Sequence, residues 1–240
     1  GQRVATSMTD TSTAPSRVAA LRVERARRVL DMVHSRPASA RRQLLTLQGR
    51  CVPGERAAVL CHWGLGRLAH DAGDIDAALG HFDLGVDGAE ASGDTSVLAG
   101  VLVSRALSLQ AAGQLARALQ DLDDAERHAE PDLRGRLHGQ RGFVLTVLGD
   151  PAAALLEYDA AIAAATSQGD ELALIRTLAN RGVGLMQLGR MAAAEDDFAE
   201  MLRRAADGRR ARADAAGERW AVAAALPNAD HERYRRPRAP

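Results

Sequence analysis

Lysine is absent from this 240-residue chain: all 31 basic side chains are arginine, and 31 carboxylates balance them to zero formal net charge. No global field therefore draws the whole chain to nucleic acid or to an anionic membrane surface. Aromatic residues make up only 3% against 46% hydrophobic, so the core must be assembled from Ala, Leu and Val. These residues suit helices, Ala best of all. Two cysteines, Cys51 and Cys61, are too few for a disulfide framework. No uncharged apolar run approaches the roughly 18 residues that a membrane-spanning helix needs. The opening stretch GQRVATSMTDTSTAPS lacks the apolar core of a secretory leader. The expectation is a soluble, cytoplasmic protein with no membrane partner. No Gly-rich phosphate loop, nucleophile elbow or Ser/His/Asp set is present, so neither an enzyme nor a cofactor is expected. The missing lysine and abundant Ala point to a GC-rich coding sequence.

What the chain does contain is a repeated frame. Gly142 is followed twelve residues on by Ala154 and four further on by Tyr158, with the turn Gly149-Asp150-Pro151 between them. The same frame reads Gly66, Ala78, Phe82; then Ala106, Ala118, Leu122; then Gly182, Ala194, Phe198. The turn glycines fall at Gly73, Gly113, Gly149 and Gly189, spaced by 40, 36 and 40 residues. Gly supplies the left-handed conformation that ends one helix. The polar residue after it can cap the next, although Arg190 cannot serve that role. Two antiparallel helices approach closely where neither presents bulk, so Gly142 and Ala154 are expected at the contact and Tyr158 in the wider space beyond. One such hairpin cannot bury its apolar face alone, and stacking completes the core.

In chain order, residues 1–15 are too polar to pack and read as a disordered tail. Val18, Leu21, Val29, Leu30 and Val33 recur at helical spacing up to Ser35-Arg36-Pro37, where Pro ends one helix and can open the next. The pattern predicts an array over 16–207, with hairpins at about 16–49, 54–91, 95–129, 132–167 and 170–206. Past Asp207 the frame is lost. Ala213 to Leu226 can form a short capping helix carrying Trp220, and beyond Pro227 the composition reads as a disordered Arg-rich tail.

The frame of Gly, Ala twelve on and an aromatic four on resembles the tetratricopeptide repeat. Leu65-Gly66 matches that family's Leu-Gly pair, whereas Trp63 stands one place late and Pro131 alone supplies a closing Pro. The spacing exceeds the family's usual 34 residues. The resemblance implies an all-α, right-handed superhelical solenoid of about five antiparallel hairpins. It also implies a concave groove lined by the first helix of each hairpin. Carried over, that face holds Trp63, Arg67, His70 and Asp71; Val103, Leu107 and Gln110; Arg136, Phe143 and Thr146; and Arg176, Val183 and Met186. Aromatic, Met and Arg side chains there suit a protein or peptide ligand. The Lys and Asn clamp by which some members hold a peptide carboxylate is not reproduced, since Lys is absent. Over residues 27–205, strings such as ARRVLDMVHSRPASARR and LANRGVGLMQLGRMAAAEDDF also resemble the N-terminal repeats of actinobacterial CHAT-domain proteins. The chain includes no CHAT-like His/Cys domain, so no peptidase activity is carried over.

A second regularity is internal. Arg105, Arg141 and Arg181 precede the small residue of their helices, and Asp121, Glu157 and Asp197 stand sixteen residues later. Where Leu65 replaces the Arg, His81 replaces the acid. A ladder of Arg–carboxylate pairs, one per repeat, is predicted. His62, His70 and His81 lie near Asp71, Asp74 and Asp76 but match no zinc spacing, so no metal is expected. Arg233, Arg235, Arg236 and Arg238 flank Tyr234; phosphate contact through them is the weaker alternative to solvated disorder. The sequence reading is a non-catalytic interaction scaffold, with nucleic acid not expected as a partner. Its alternative is the repeat module of a transcriptional regulator that touches nucleic acid through the basic tail or a partner domain.

Overall fold

The computed structural model describes residues 16–225, with side chains through residue 209. The tails assigned at 1–15 and beyond Pro227, the Arg233–Arg238 cluster and the side chain of Trp220 lie outside the described residues. Among the described residues, all regular structure is α-helical and forms ten helices. They divide into two compact units, Gly1–Ala129 and Glu130–Pro240.

The first unit holds α1 (Arg17–Asp31), α2 (Pro37–Gln48), α3 (Arg56–Asp71), α4 (Ile75–Ser92), α5 (Thr95–Ala111) and α6 (Leu115–Glu126). Sequence-adjacent helices pair in antiparallel hairpins, α4 packs on α5, and the first helices α1, α3 and α5 meet one another in turn. The second unit holds α7 (Pro131–Val147), α8 (Pro151–Gln168), α9 (Glu171–Gln187) and α10 (Met191–Ala225). There α7 pairs with α8, α9 with α10, and α8 and α7 both pack on α9. Helix α10 runs unbroken past Asp207, where the repeat pattern ends, to Ala225.

Local chemistry sets the hairpin ends. Gly73, Gly113, Gly149 and Gly189 all have φ between 70° and 86°, a region that costs a side-chain-bearing residue energy but not glycine. The Asp74 N–H then donates to Ala69 O, and Gly73 N–H to His70 O, closing the helix end. Asp74, Asp94, Asp150 and Asp170 each accept a backbone N–H three residues on at 2.9–3.2 Å. Each such cap is worth about 1 kcal/mol. Gln114 caps α6 without a side-chain bond, and Pro131 and Pro151 occupy first-turn positions where a missing N–H costs nothing.

The core corrects one expectation about the small residues. A Cβ added at Gly142 would lie 2.7 Å from Tyr158 Cε1, at Gly66 2.6 Å from Phe82 Cε1, and at Gly182 2.7 Å from Phe198 Cε1. The aromatic ring lies directly against the glycine and not in a wider space beyond it. In the second repeat Ala106 and the smaller Leu122 hold these two places in the frame, and both are fully buried. Tyr158 is likewise fully buried, its hydroxyl bonded to Thr146 Oγ1 at 3.0 Å.

Candidate protein-interaction face

The first helices run parallel within each unit, and small residues bring them together. On α3, the Trp63 ring lies over Gly100 of α5, so close that a Cβ there would sit 2.5 Å from its Cη2. Trp63 Nε1 donates to Ser104 Oγ at 2.9 Å, and His70 Nδ1 is 2.9 Å from Ser108 Oγ. Arg67 Nη2 is 2.6 Å from His34 Nε2, and His34 Nδ1 is 3.1 Å from Asp71 Oδ2. Burial lowers the Arg67 pKa against the pull of Asp71 and Asp31. Trp63, Arg67, His70 and Asp71 are thus tied to neighbouring elements. The partners Ser104, Ser108 and His34 carried no sequence signal, since a hydroxyl at a helical position is commonplace.

The remaining residues separate by burial. Val103 is fully buried and Thr146 nearly so, which corrects their assignment to the face: both are packing residues with no surface to offer. Gln110 and Arg136 are half-buried and Arg176 is exposed. Leu107, Phe143, Val183 and Met186 keep 39–46% of their surface exposed. In the first unit, Leu107 holds on α5 the place that Arg67 holds on α3, one residue after the small position. In the second, Phe143 and Val183 hold that same place on α7 and α9. Thr146 Oγ1 lies 3.8 Å from where a Gly184 Cβ would be, which places α9 alongside α7. Val147, one turn beyond Phe143 on α7, is also exposed. The second unit therefore presents Phe143, Val147, Val183 and Met186 with Arg176 on two adjoining parallel helices. Past the first turn neither helix has a carboxylate.

Each unit also holds arginine clasps between its helices. Arg105 donates from Nε and Nη2 to both Asp121 oxygens at 2.7 and 2.8 Å. Arg181 does the same to Asp197 at 2.8 and 2.7 Å. The predicted ladder is present, and it is bidentate at these two rungs. Each arginine also reaches a second acid by Nη1: Asp83 at 2.8 Å and Asp159 at 2.6 Å. Those acids each stand 22 residues before their arginine, a second regular spacing in the sequence. At the third rung Arg141 Nη1 lies 3.5 Å from Glu157 Oε1, and His138 Nδ1 takes Oε2 at 2.7 Å. Burial pushes the Glu157 carboxyl up, but the His138 hydrogen bond and the Arg141 charge outweigh it and hold the pKa below its ordinary value. Burial lowers Arg105, and its bonds to Asp121 and Asp83 more than restore it.

Burial pushes the Cys61 thiol up to about 12, so it is a packing residue without thiolate character. No group of three or more His, Cys, Asp or Glu side chains among the described residues converges on a metal position. No helix among them is long and apolar enough to cross a membrane.

No protein-family model and no curated protein matches the chain. Among solved structures, BtubC (BKLC) from P. vanneervenii is similar over 80% of this chain and 90% of its own, at 18% identity and a TM-score of 0.56. The TPR-like repeats named for a kinesin light chain of Podosopora anserina are similar over 80% of this chain and 97% of their own, at 13% identity and a TM-score of 0.57. With the helical hairpins these likenesses show the class of fold: an all-α, tetratricopeptide-like solenoid.

Proposed function

We propose that this chain is a non-catalytic protein-interaction scaffold that takes a peptide or protein segment along the exposed faces of its first helices. The observation that carries the reading is the side-chain set Phe143, Val147, Val183 and Met186 on α7 and α9. Large apolar groups there are left in water while glycines and small residues beneath them are packed tightly. A segment with apolar anchors removes that surface from water, and Arg176 adds a charge at one end. Leu107, Gln110 and Arg136 extend the reading, whereas Trp63 and His70 support it by holding α3 against α5. Placement beside a CHAT-type domain and a bacterial setting rest on the sequence resemblance of residues 27–205, and a cytoplasmic setting on the sequence reading alone.

Peptide-display selection on the full chain, followed by calorimetric titration of the enriched peptides, tests this. Phe143→Asp with Met186→Asp should weaken binding at least tenfold while leaving the circular dichroism spectrum unchanged. Enriched peptides that bind both forms equally would place the site elsewhere, and failure to enrich any peptide would remove the scaffold reading.

A further inference from the structure

The first clear repeat lacks the arginine clasp, and histidines stand in its place. His81 occupies the position of Asp121, Glu157 and Asp197, and Leu65 that of the arginine. His62 Nδ1 lies 3.3 Å from His81 Nδ1, with ring centroids 5.6 Å apart and tilted by 40°. On the other side Gln48 Nε2 lies 3.3 Å from His62 Nε2. These contacts join α2, α3 and α4. An amide nitrogen is a donor only, so His62 Nε2 accepts, His62 Nδ1–H donates, and His81 Nδ1 accepts. Both of these contacts are made when the two rings are neutral. Turning the Gln48 amide presents its carbonyl to His62 Nε2 and lets the pair hold one proton. A second proton leaves two N–H groups facing each other across 3.3 Å with no acceptor between them.

We propose that the His62–His81 pair is a proton-operated joint that holds α2, α3 and α4 together at neutral pH and releases them on mild acidification. The surroundings favour release. Arg41 of α2 acts on His81, and His81 acts on His62, both with positive sign. From α5 the uncharged Val101 packs at Gly85, where the His62 Cβ also lies. Burial, then these charges, place both histidines below their ordinary pKa of 6.5. A base with a depressed folded-state pKa binds fewer protons folded than unfolded. Its stabilisation is therefore complete above about pH 6.5 and is lost as pH falls through the folded values. The equivalent histidine of the third repeat, His138, meets the Glu157 carboxylate instead, so a proton added there adds an attraction. The joint goes beyond the scaffold reading, but α3 carries Arg67 and His70, so release reaches that face.

Amide hydrogen exchange on the full chain at pH 7.5 and pH 5.0, corrected for intrinsic rates, tests it. Protection over residues 56–92 should fall at least tenfold more than over α5 and α6 in the natural chain. His62→Leu with His81→Gln, which keeps His34 and His70, should abolish that difference. Leu65→Arg with His81→Asp installs the clasp of the second repeat and should abolish it too. If the first double variant cannot fold, the second decides, and if neither folds, NMR titration of the His62 and His81 rings in the natural chain does. An equal fall everywhere, an unchanged fall in a folded variant, or ring titration near pH 6.5 overturns the joint.

Discussion

Gly142 carries no side chain because the Tyr158 ring fills the space a Cβ would take, 2.7 Å from Cε1 and 2.8 Å from Cδ1. That ring is fully buried and tethered through its hydroxyl to Thr146, so it cannot swing aside. Gly142→Ala should therefore destabilise by about 1–3 kcal/mol, the usual range for forcing atoms into a packed core, although Ala is otherwise the better helix former. The second repeat carries Ala106 in the glycine's place and the smaller Leu122 in the ring's, both fully buried, which points to compensation. Gly142→Ala combined with Tyr158→Leu should recover part of what the single alanine loses relative to Tyr158→Leu alone. Urea denaturation of the four proteins measures the coupling. Strict additivity would show that ring and glycine do not share the space. The frame Gly, Ala, aromatic was visible in the sequence, but which pair touches was not, because spacing alone does not say where a ring lies.

Arg105 binds three helices, its own α5, the partner α6 through Asp121 and the preceding α4 through Asp83. Arg181 repeats this among α9, α10 and α8. The two acids are unequal. The Asp121 side chain keeps 7% of its surface exposed and Asp83 52%. Asp121→Ala leaves a largely buried guanidinium without its main partner and should cost about 3 kcal/mol, whereas Asp83→Ala should cost less than about 1 kcal/mol. A double-mutant cycle with Arg105→Met separates the couplings, and equal couplings would reject the ranking. Glu157 adds a pH dependence of opposite origin to that of the histidine pair. Burial raises its carboxyl pKa, but His138 and Arg141 win and depress it. Its contribution is present above the ordinary value near 4.5 and is lost as pH falls through the folded value. The stability gap between the natural chain and Glu157→Gln should thus be widest near neutrality and should close as pH falls from the ordinary value through the lower folded one. Chemical denaturation across that range reads the gap, and a gap that persists in acid would show that the carboxylate's charge is not what stabilises.

At the scale of the molecule, the fold was the legible part. Turn glycines, Asp caps and the recurrent small-to-aromatic frame each act through neighbours in sequence or through one adjacent helix, so a one-dimensional pattern records them. The candidate face was legible only in part. Val103 and Thr146 share helical spacing with Leu107 and Met186, yet burial is decided by the next helix, which spacing does not see. The packing of Trp63 on Gly100 and its bond to Ser104 were likewise invisible to spacing. The same nearest-neighbour logic governs how damage spreads, because in repeat arrays stability is approximately a sum over repeats and their interfaces. Gly182→Leu drives a branched side chain into Phe198, where even a Cβ would sit 2.7 Å from the ring. Amide exchange in α9 and α10 should quicken strongly, and in α8 less, through its contact with α9. Helices α3 and α4, whose contacts lie among α1, α2 and α5, should keep their protection within about twofold, the expectation for additive, local coupling. Hydrogen exchange resolved by peptide measures each segment in one experiment. A uniform loss from Arg56 to Arg204 would mean that the chain unfolds as one cooperative body rather than repeat by repeat.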